Sequence, residues 1–130
     1  MRLEHDVLIL ACAISAGIHG ALTPEHFAES TAAGLGFVAA TVSLAALAVV
    51  LTLRPASVLA LAGAATVLAG LLGAYVLATT TGLPLLHPEP EPLDGLALAT
   101  KAIESVGLGV AVALLGRRRP TLALPHPKGT

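Results

Sequence analysis

Four long apolar stretches, residues 7–22, 31–53, 56–79 and 93–116, decide what this chain can fold into. A helix rises about 1.5 Å per residue, so crossing the hydrocarbon core of a bilayer takes about 20 apolar residues. The first stretch falls a little short of that length and the other three reach it. What is left between and beyond them is too little to build a soluble domain. Only 12% of the 130 residues are charged and 55% are hydrophobic, whereas ordinary soluble domains are roughly a quarter charged. With a mean hydropathy of +0.87, a water-soluble domain of this size would lack the interior to hide its apolar surface. The expected fold is all-α: a four-transmembrane-helix bundle, up-down-up-down, over residues 1–116, with the lipid bilayer as its first partner. Nucleic acid is excluded as a partner, because the net charge is −1 and no basic face is available.

The breaks between stretches have their own chemistry. Thr23-Pro24 is expected to close the first span, with Thr23 as N-cap and Pro24 in the first turn of the second helix. Arg54-Pro55 reads as a tight turn with Pro55 opening the third helix. Residues 80–92 contain four prolines and a glycine and predict an extended, non-helical loop. Arg117-Arg118-Arg119-Pro120 stops the last helix, and residues 117–130 form a basic, Pro-containing tail with no apolar face to pack, expected to be disordered.

Arg2, Arg54, Arg117, Arg118, Arg119 and Lys128 fall at the N-terminus, the second loop and the C-terminus, while the first and third loops carry no Lys or Arg. An excess of Lys and Arg marks the cytoplasmic side. An even number of spans puts both termini on one face, so both are expected inside. A cleaved signal peptide fits the first segment poorly, since Glu4 and Asp6 offset Arg2 in what would be its n-region. The Ile9-Leu10-Ala11-Cys12 run sits too early for a lipoprotein cleavage box. Cys12 is the only cysteine, so no internal disulfide forms.

Lipid gives helices no hydrophobic reason to associate, so small residues at four-residue spacing are the candidate contact stripes. These are Ala13/Gly17/Ala21, Ala32/Gly36/Ala40, Ala62/Thr66/Gly70/Ala74 and Gly109/Ala113. The two halves of the chain also share a layout, helix, acidic loop with His, helix, basic end.

The polar residues gather on the side opposite the arginines: His19, Glu25, His26, Glu29, His87, Glu89, Glu91 and Asp94. Imidazole with carboxylate suits Cu, Zn, Ni or Fe. Cys12, Ser15 and His19 share one face of the first span, a polar stripe in an apolar helix, and polar groups at such depth face a bundle interior or a cavity. His19 therefore reads either as a metal ligand or proton carrier, or as a histidine bonded to a neighbouring helix. His19-x6-His26 crosses the expected turn, so the two imidazoles would converge from adjacent helices. Glu25 and Glu29 would supply further ligands, although acids in a first helical turn also simply complement the helix dipole. His87 and Glu89 lie in the proline-rich loop, either solvated or as ligands carried on a lid. Glu104 lies midway along the last span with Lys101 at i−3, positioned to neutralise it and snorkel outward. A carboxylate at that depth costs roughly 2.5–3.5 kcal/mol on insertion scales, so it reads as half of an interhelical ion pair or as a proton- or ligand-binding group. Were Glu104 to meet His19 across the bundle, the two readings would become one site.

No Ser/His/Asp or Cys/His arrangement and no phosphate-binding loop can be argued, so an enzyme is disfavoured and no cofactor is assigned beyond a candidate transition metal. Residues 17–26, Gly-Ile-His-Gly-Ala-Leu-Thr-Pro-Glu-His, together with residues 80–104, resemble segments of small actinobacterial four-helix membrane proteins with a GxHxxxxPEH motif. The resemblance implies a bacterial cytoplasmic membrane and supplies no mechanism; the absence of Asn and Gln suits a GC-rich genome. Three roles follow: a non-catalytic accessory or interaction subunit, in a homo-oligomer or a larger membrane complex; a divalent-metal site built from His19, His26, Glu25, Glu29 and Glu104; or a small proton- or ion-coupled transporter using Glu104 and His19.

Overall fold

The structure is a computed structural model that describes residues 2–84 and 88–118. It consists of four helices, α1 (Arg2–Glu29), α2 (Thr31–Leu53), α3 (Val58–Thr80) and α4 (Gly95–Arg117), each long and apolar enough to cross a membrane. Helices α2, α3 and α4 have 23 residues apiece, about 35 Å at the helical rise, which matches the hydrocarbon thickness of a bilayer. α1 has 28 residues, about 42 Å, and so projects further.

The projection of α1 corrects the expected first turn. Pro24 lies inside α1, and the helix continues through it to Glu29. Proline removes one donor, the one that would serve the Gly20 carbonyl. Neighbouring side chains bond the carbonyls on either side of it: Thr23 Oγ1 donates to the His19 carbonyl at 2.8 Å and His26 Nδ1 to the Leu22 carbonyl at 2.9 Å. The chain turns instead at Ser30, which is extended (φ −159°, ψ 151°) and caps α2 by accepting from the Ala33 amide. That one residue joins two antiparallel helices. Across this turn Gly34 lies against the Phe27 ring: a Cβ there would sit 2.2 Å from Phe27 Cγ, so the ring would have to move. The third helix also begins later than Pro55. Arg54–Ser57 is a turn closed by the Ser57 amide on the Arg54 carbonyl at 3.0 Å, with Ser57 as the cap of α3. Pro55 occupies the second turn position, where its fixed φ is favoured. Asp94 caps α4 through the Ala97 amide. Of the tail, residues 119–130 lie outside the described residues.

Each helix packs on its sequence neighbours, and α4 closes on α1, most extensively at the α1–α2 and then the α3–α4 and α1–α4 seams. The apolar core occupies the half of the bundle nearer the termini: Leu8 and Cys12 from α1, Leu44 and Leu51 from α2, Leu61 and Leu68 from α3, Ala111 and Leu114 from α4. Arg117 pairs with Glu4, and the Arg118 guanidinium donates to the Ala56 and Pro55 carbonyls at 2.6 and 3.1 Å. The termini and the α2–α3 turn are thus tied together at one end. Leu10, Val42, Val49, Leu59, Val76 and Val112 are exposed around the outside, a surface that would promote aggregation in water and is matched by lipid.

The small-residue stripes point mostly the other way from their expected direction. Ala13, Gly17 and Ala21 on α1, Ala32 on α2, Thr66 and Gly70 on α3, and Gly109 and Ala113 on α4 are exposed, whereas Gly36, Ala40 and Ala74 line a cavity inside the bundle. The contact faces are Ala11/Ser15 on α1, Ala60/Ala64 on α3 and Gly107/Ala111 on α4. With alanine and glycine on every side, four-residue spacing occurs on lipid-facing and buried faces alike.

Candidate functional site

The half of the bundle opposite the termini is not filled by side chains. It holds a cavity of about 630 Å³ that reaches all four helices and the loop before α4. His19, Thr100 and Lys101 line it, and behind them lies the rest of the bundle's buried polar network. Glu104 is fully buried and both its oxygens are used: Oε1 accepts from Ser15 Oγ at 2.6 Å and Oε2 from Lys101 Nζ at 2.6 Å. His19, only 6% exposed, places Nδ1 2.9 Å from the Ser15 carbonyl oxygen, 3.3 Å from Ser15 Oγ and 3.9 Å from Glu104 Oε1. A carbonyl can only accept, so Nδ1 carries a proton, which in a neutral ring would leave the lone pair on Nε2. The Lys101 ammonium lies over the Tyr75 ring, 5.5 Å from its centroid, a cation–π distance. A carboxylate at this depth is tolerated because it is paired and hydrogen-bonded on both oxygens.

The meeting of Glu104 with His19 across α4 and α1 is therefore real, and it unites the two candidates that the sequence had left on separate helices. The polar stripe of α1 turns inward as its spacing implied: Cys12, Ser15 and His19 are all buried. Cys12 sits in the apolar core and not in the cavity.

His26 requires a correction. It does not approach His19 from a neighbouring helix, because both residues belong to α1. Seven residues apart, they share a face and are separated by about 10 Å along the axis. Phe37 of α2 bridges them, stacked on His26 with ring centroids 3.5 Å apart and planes at 18°, and tilted against His19 at 5.2 Å. Glu29 comes within 4.0 Å of His26 Nε2. Glu25 lines the cavity with His26 and Glu29, and Glu91 and Asp94 line it from the loop side. Glu89 is exposed, and His87 lies outside the described residues. Among the described residues, no three His, Cys, Asp or Glu side chains converge to hold a metal ion.

Sequence reasoning missed Phe37 and Tyr75. Both line the cavity, and the Tyr75 hydroxyl is buried with no hydrogen-bond partner among the described residues. A signal was present, since the chain has only two Phe and one Tyr and aromatic side chains in so aliphatic a chain mark positions where shape matters. Compared with protein-family models, with curated proteins and with solved structures, the chain matches none of them.

Proposed function

We propose that this chain is a multi-pass protein of the bacterial cytoplasmic membrane, with both termini inside, that serves as a non-catalytic binding subunit whose chamber opens to the outer face. One observation carries this reading: a cavity of about 630 Å³ ends on a buried, satisfied polar network within an otherwise apolar bundle. Binding sites are concave, mostly apolar and furnished with a few fixed polar groups. The groups of this network bond one another, Ser15 and Lys101 to Glu104 and His19 to Ser15, which suits holding a guest better than reacting with it.

Accessibility tests the reading without knowledge of the guest. Ala40 lines the chamber partway down α2, whereas Ala64 is fully buried in the core. In a Cys12→Ser background, Ala40→Cys should react with a membrane-impermeant thiol reagent applied to the outer face of intact cells, while Ala64→Cys stays unreactive. Equal protection of both positions would rule out a chamber open to water, and labelling of Ala40→Cys only from the inner face would invert the orientation.

A divalent transition metal is the second reading, favoured by the orientation of the imidazoles. His19 and His26 both direct Nδ1 at a backbone carbonyl four residues earlier, the arrangement that prepares Nε2 for a metal. Glu25, Glu29 or Glu104 would complete the set. Elemental analysis should then find about one equivalent of Cu, Zn, Ni or Fe in the wild type and none in a still-folded His19→Ala/His26→Ala variant. Protein that retains no metal after dialysis against each ion would end this reading.

A further inference from the structure

The polar network beside the chamber leaves one atom over. Ser15 has a single hydroxyl proton and gives it to Glu104 Oε1 at 2.6 Å. His19 Nδ1 is therefore the donor toward Ser15, 2.9 Å from its carbonyl oxygen and 3.3 Å from Oγ. Lys101 already balances the Glu104 carboxylate. A second proton on the imidazole would bring an uncompensated charge to a residue only 6% exposed. The ring is thus held neutral, with its lone pair on Nε2.

That nitrogen faces the chamber. Among the described residues it accepts no hydrogen bond, and the only side-chain atoms both unpartnered and sealed from solvent are His5 Nε2 and the Tyr75 hydroxyl. His19 Nε2 is unpartnered without being sealed, and the space that His19 lines is the chamber. A buried imidazole therefore turns one acceptor into a cavity of about 630 Å³, within the roughly 300–1,000 Å³ usual for small-molecule sites.

The surroundings of Nε2 select the guest. Thr100 gives its hydroxyl to the Leu96 carbonyl at 2.8 Å, and Lys101 and Glu104 neutralise each other. Glu25 and Glu29 lie six and ten residues further along α1, about 9 and 15 Å along its axis. A charged group seated at Nε2 would lose its water and find no counter-charge at that depth. A metal ion would need further ligands, and no three ligating side chains converge among the described residues. Ile18, Leu22, Leu71 and Leu96 line the space with aliphatic carbon. Since Nε2 accepts, the guest has to donate, and these walls require it to be neutral and otherwise apolar. Phe37 narrows the donor further. Its ring centroid lies 5.2 Å from that of His19, so an aromatic ring bonded through a hydroxyl to Nε2 falls within aromatic contact of it.

We propose that the chamber takes a neutral phenol with an apolar body, its hydroxyl donating to His19 Nε2 and its ring set beside Phe37. This rests on the chamber reading above and goes beyond it by naming the guest and the atom that recognises it.

Three probes of similar shape separate the contributions. para-tert-Butylphenol has both donor and ring, para-tert-butylanisole caps the donor with a methyl group, and para-tert-butylcyclohexanol keeps the donor without the aromatic ring. Each is equilibrated by dialysis with the full-length protein in an uncharged detergent, with empty micelles as blank. The phenol should bind saturably above the blank. The anisole should bind about tenfold more weakly, the scale of a hydrogen bond withheld from a buried acceptor. The cyclohexanol should also bind more weakly than the phenol, for want of the aromatic contact. In His19→Asn the side-chain amide stands as many bonds from the backbone as Nδ1 and can keep the bond to the Ser15 carbonyl, while nothing replaces Nε2. This variant should bring the phenol down to the level of the anisole and leave the anisole unchanged. Gly36→Leu should abolish binding of all three, because Gly36 lines the chamber and a Cβ there meets no atom within 4 Å, so the larger side chain occupies open space.

Equal binding of phenol and anisole by the wild type, lost in Gly36→Leu, would overturn the inference and leave the chamber reading standing. A preference for the phenol that survives His19→Asn would place its donor elsewhere and overturn it too. If His19→Asn does not fold, Gly36→Leu decides: a preference lost there supports the inference, and one that persists lies outside the chamber and overturns it. Cyclohexanol bound as tightly as phenol would overturn the phenolic class. Binding of no probe would overturn the inference as well, and the Ala40→Cys labelling would then judge the chamber reading separately.

Discussion

Replacing Lys101 with methionine is expected to destabilise the protein by about 3–5 kcal/mol, the usual result of removing one partner from a buried ion pair. Glu104 is fully buried behind the chamber lining, to which Lys101 belongs, so with a methionine of similar size in place of Lys101 chamber water does not reach the carboxylate. Methionine keeps most of the length and apolar volume of the lysine stem, so the loss is electrostatic. It leaves the Glu104 carboxylate with Ser15 Oγ as its remaining hydrogen-bond donor. The companion variant Lys101→Met/Glu104→Gln should recover most of the loss. Glutamine still offers an oxygen to Ser15 and carries no charge, so about 1 kcal/mol, the net worth of an ordinary hydrogen bond, is the expected residual cost. Unfolding of the purified protein in mixed micelles measures both. A single variant as stable as the wild type, or a double variant no better than the single, would show that the pair does not hold together the half of the bundle opposite the core.

The second large effect belongs to Gly107. A Cβ at this position would lie 2.9 Å from Ala11 Cβ and 3.1 Å from Leu68 Cδ1, so α1, α3 and α4 approach closely there. Ala11 has no rotamer by which to retreat, so relief requires the backbones to separate. Gly107→Ala should cost about 1–3 kcal/mol through overpacking, and Gly107→Leu more, enough to separate α4 from α1. The control is Gly109, two residues on. It faces outward and an added Cβ meets nothing within 4 Å, so Gly109→Ala should fall within about 0.5 kcal/mol of the wild type, as surface substitutions usually do. The same unfolding measurement decides the matter, and equal losses at both glycines would mean that this seam does not limit stability.

These two glycines show where the sequence is legible and where it is not. Both belong to an Ala/Gly-rich helix, and spacing alone selects Gly109/Ala113 as readily as Gly107/Ala111. In water, hydrophobicity marks the buried face of a helix. In lipid both faces are apolar, and the signal disappears. Only polar side chains still mark the inside, which is why Ser15 and His19 were readable on α1 and Glu104 on α4 while the packing faces around them were not. Pro24 misled for a related reason. The residue stops helices in general, but here α1 continues through it to Glu29 at the loss of one backbone bond, and the turn falls at Ser30.

The amino-acid sequence by itself determined the number of spans, through the length of each apolar run, and the division of charge between the two ends of the bundle. It also determined the pairing of Lys101 with Glu104, which is local to one helical turn. Tertiary structure alone decided that Glu104 reaches Ser15, 89 residues away in the chain, that Phe37 joins His19 to His26, and that one half of the bundle closes on leucines while the other remains open. The physical reason is that close contact between distant helices depends on how their surfaces fit. In a chain with so few polar residues, that fit is recorded in shape, which neither hydropathy nor spacing resolves.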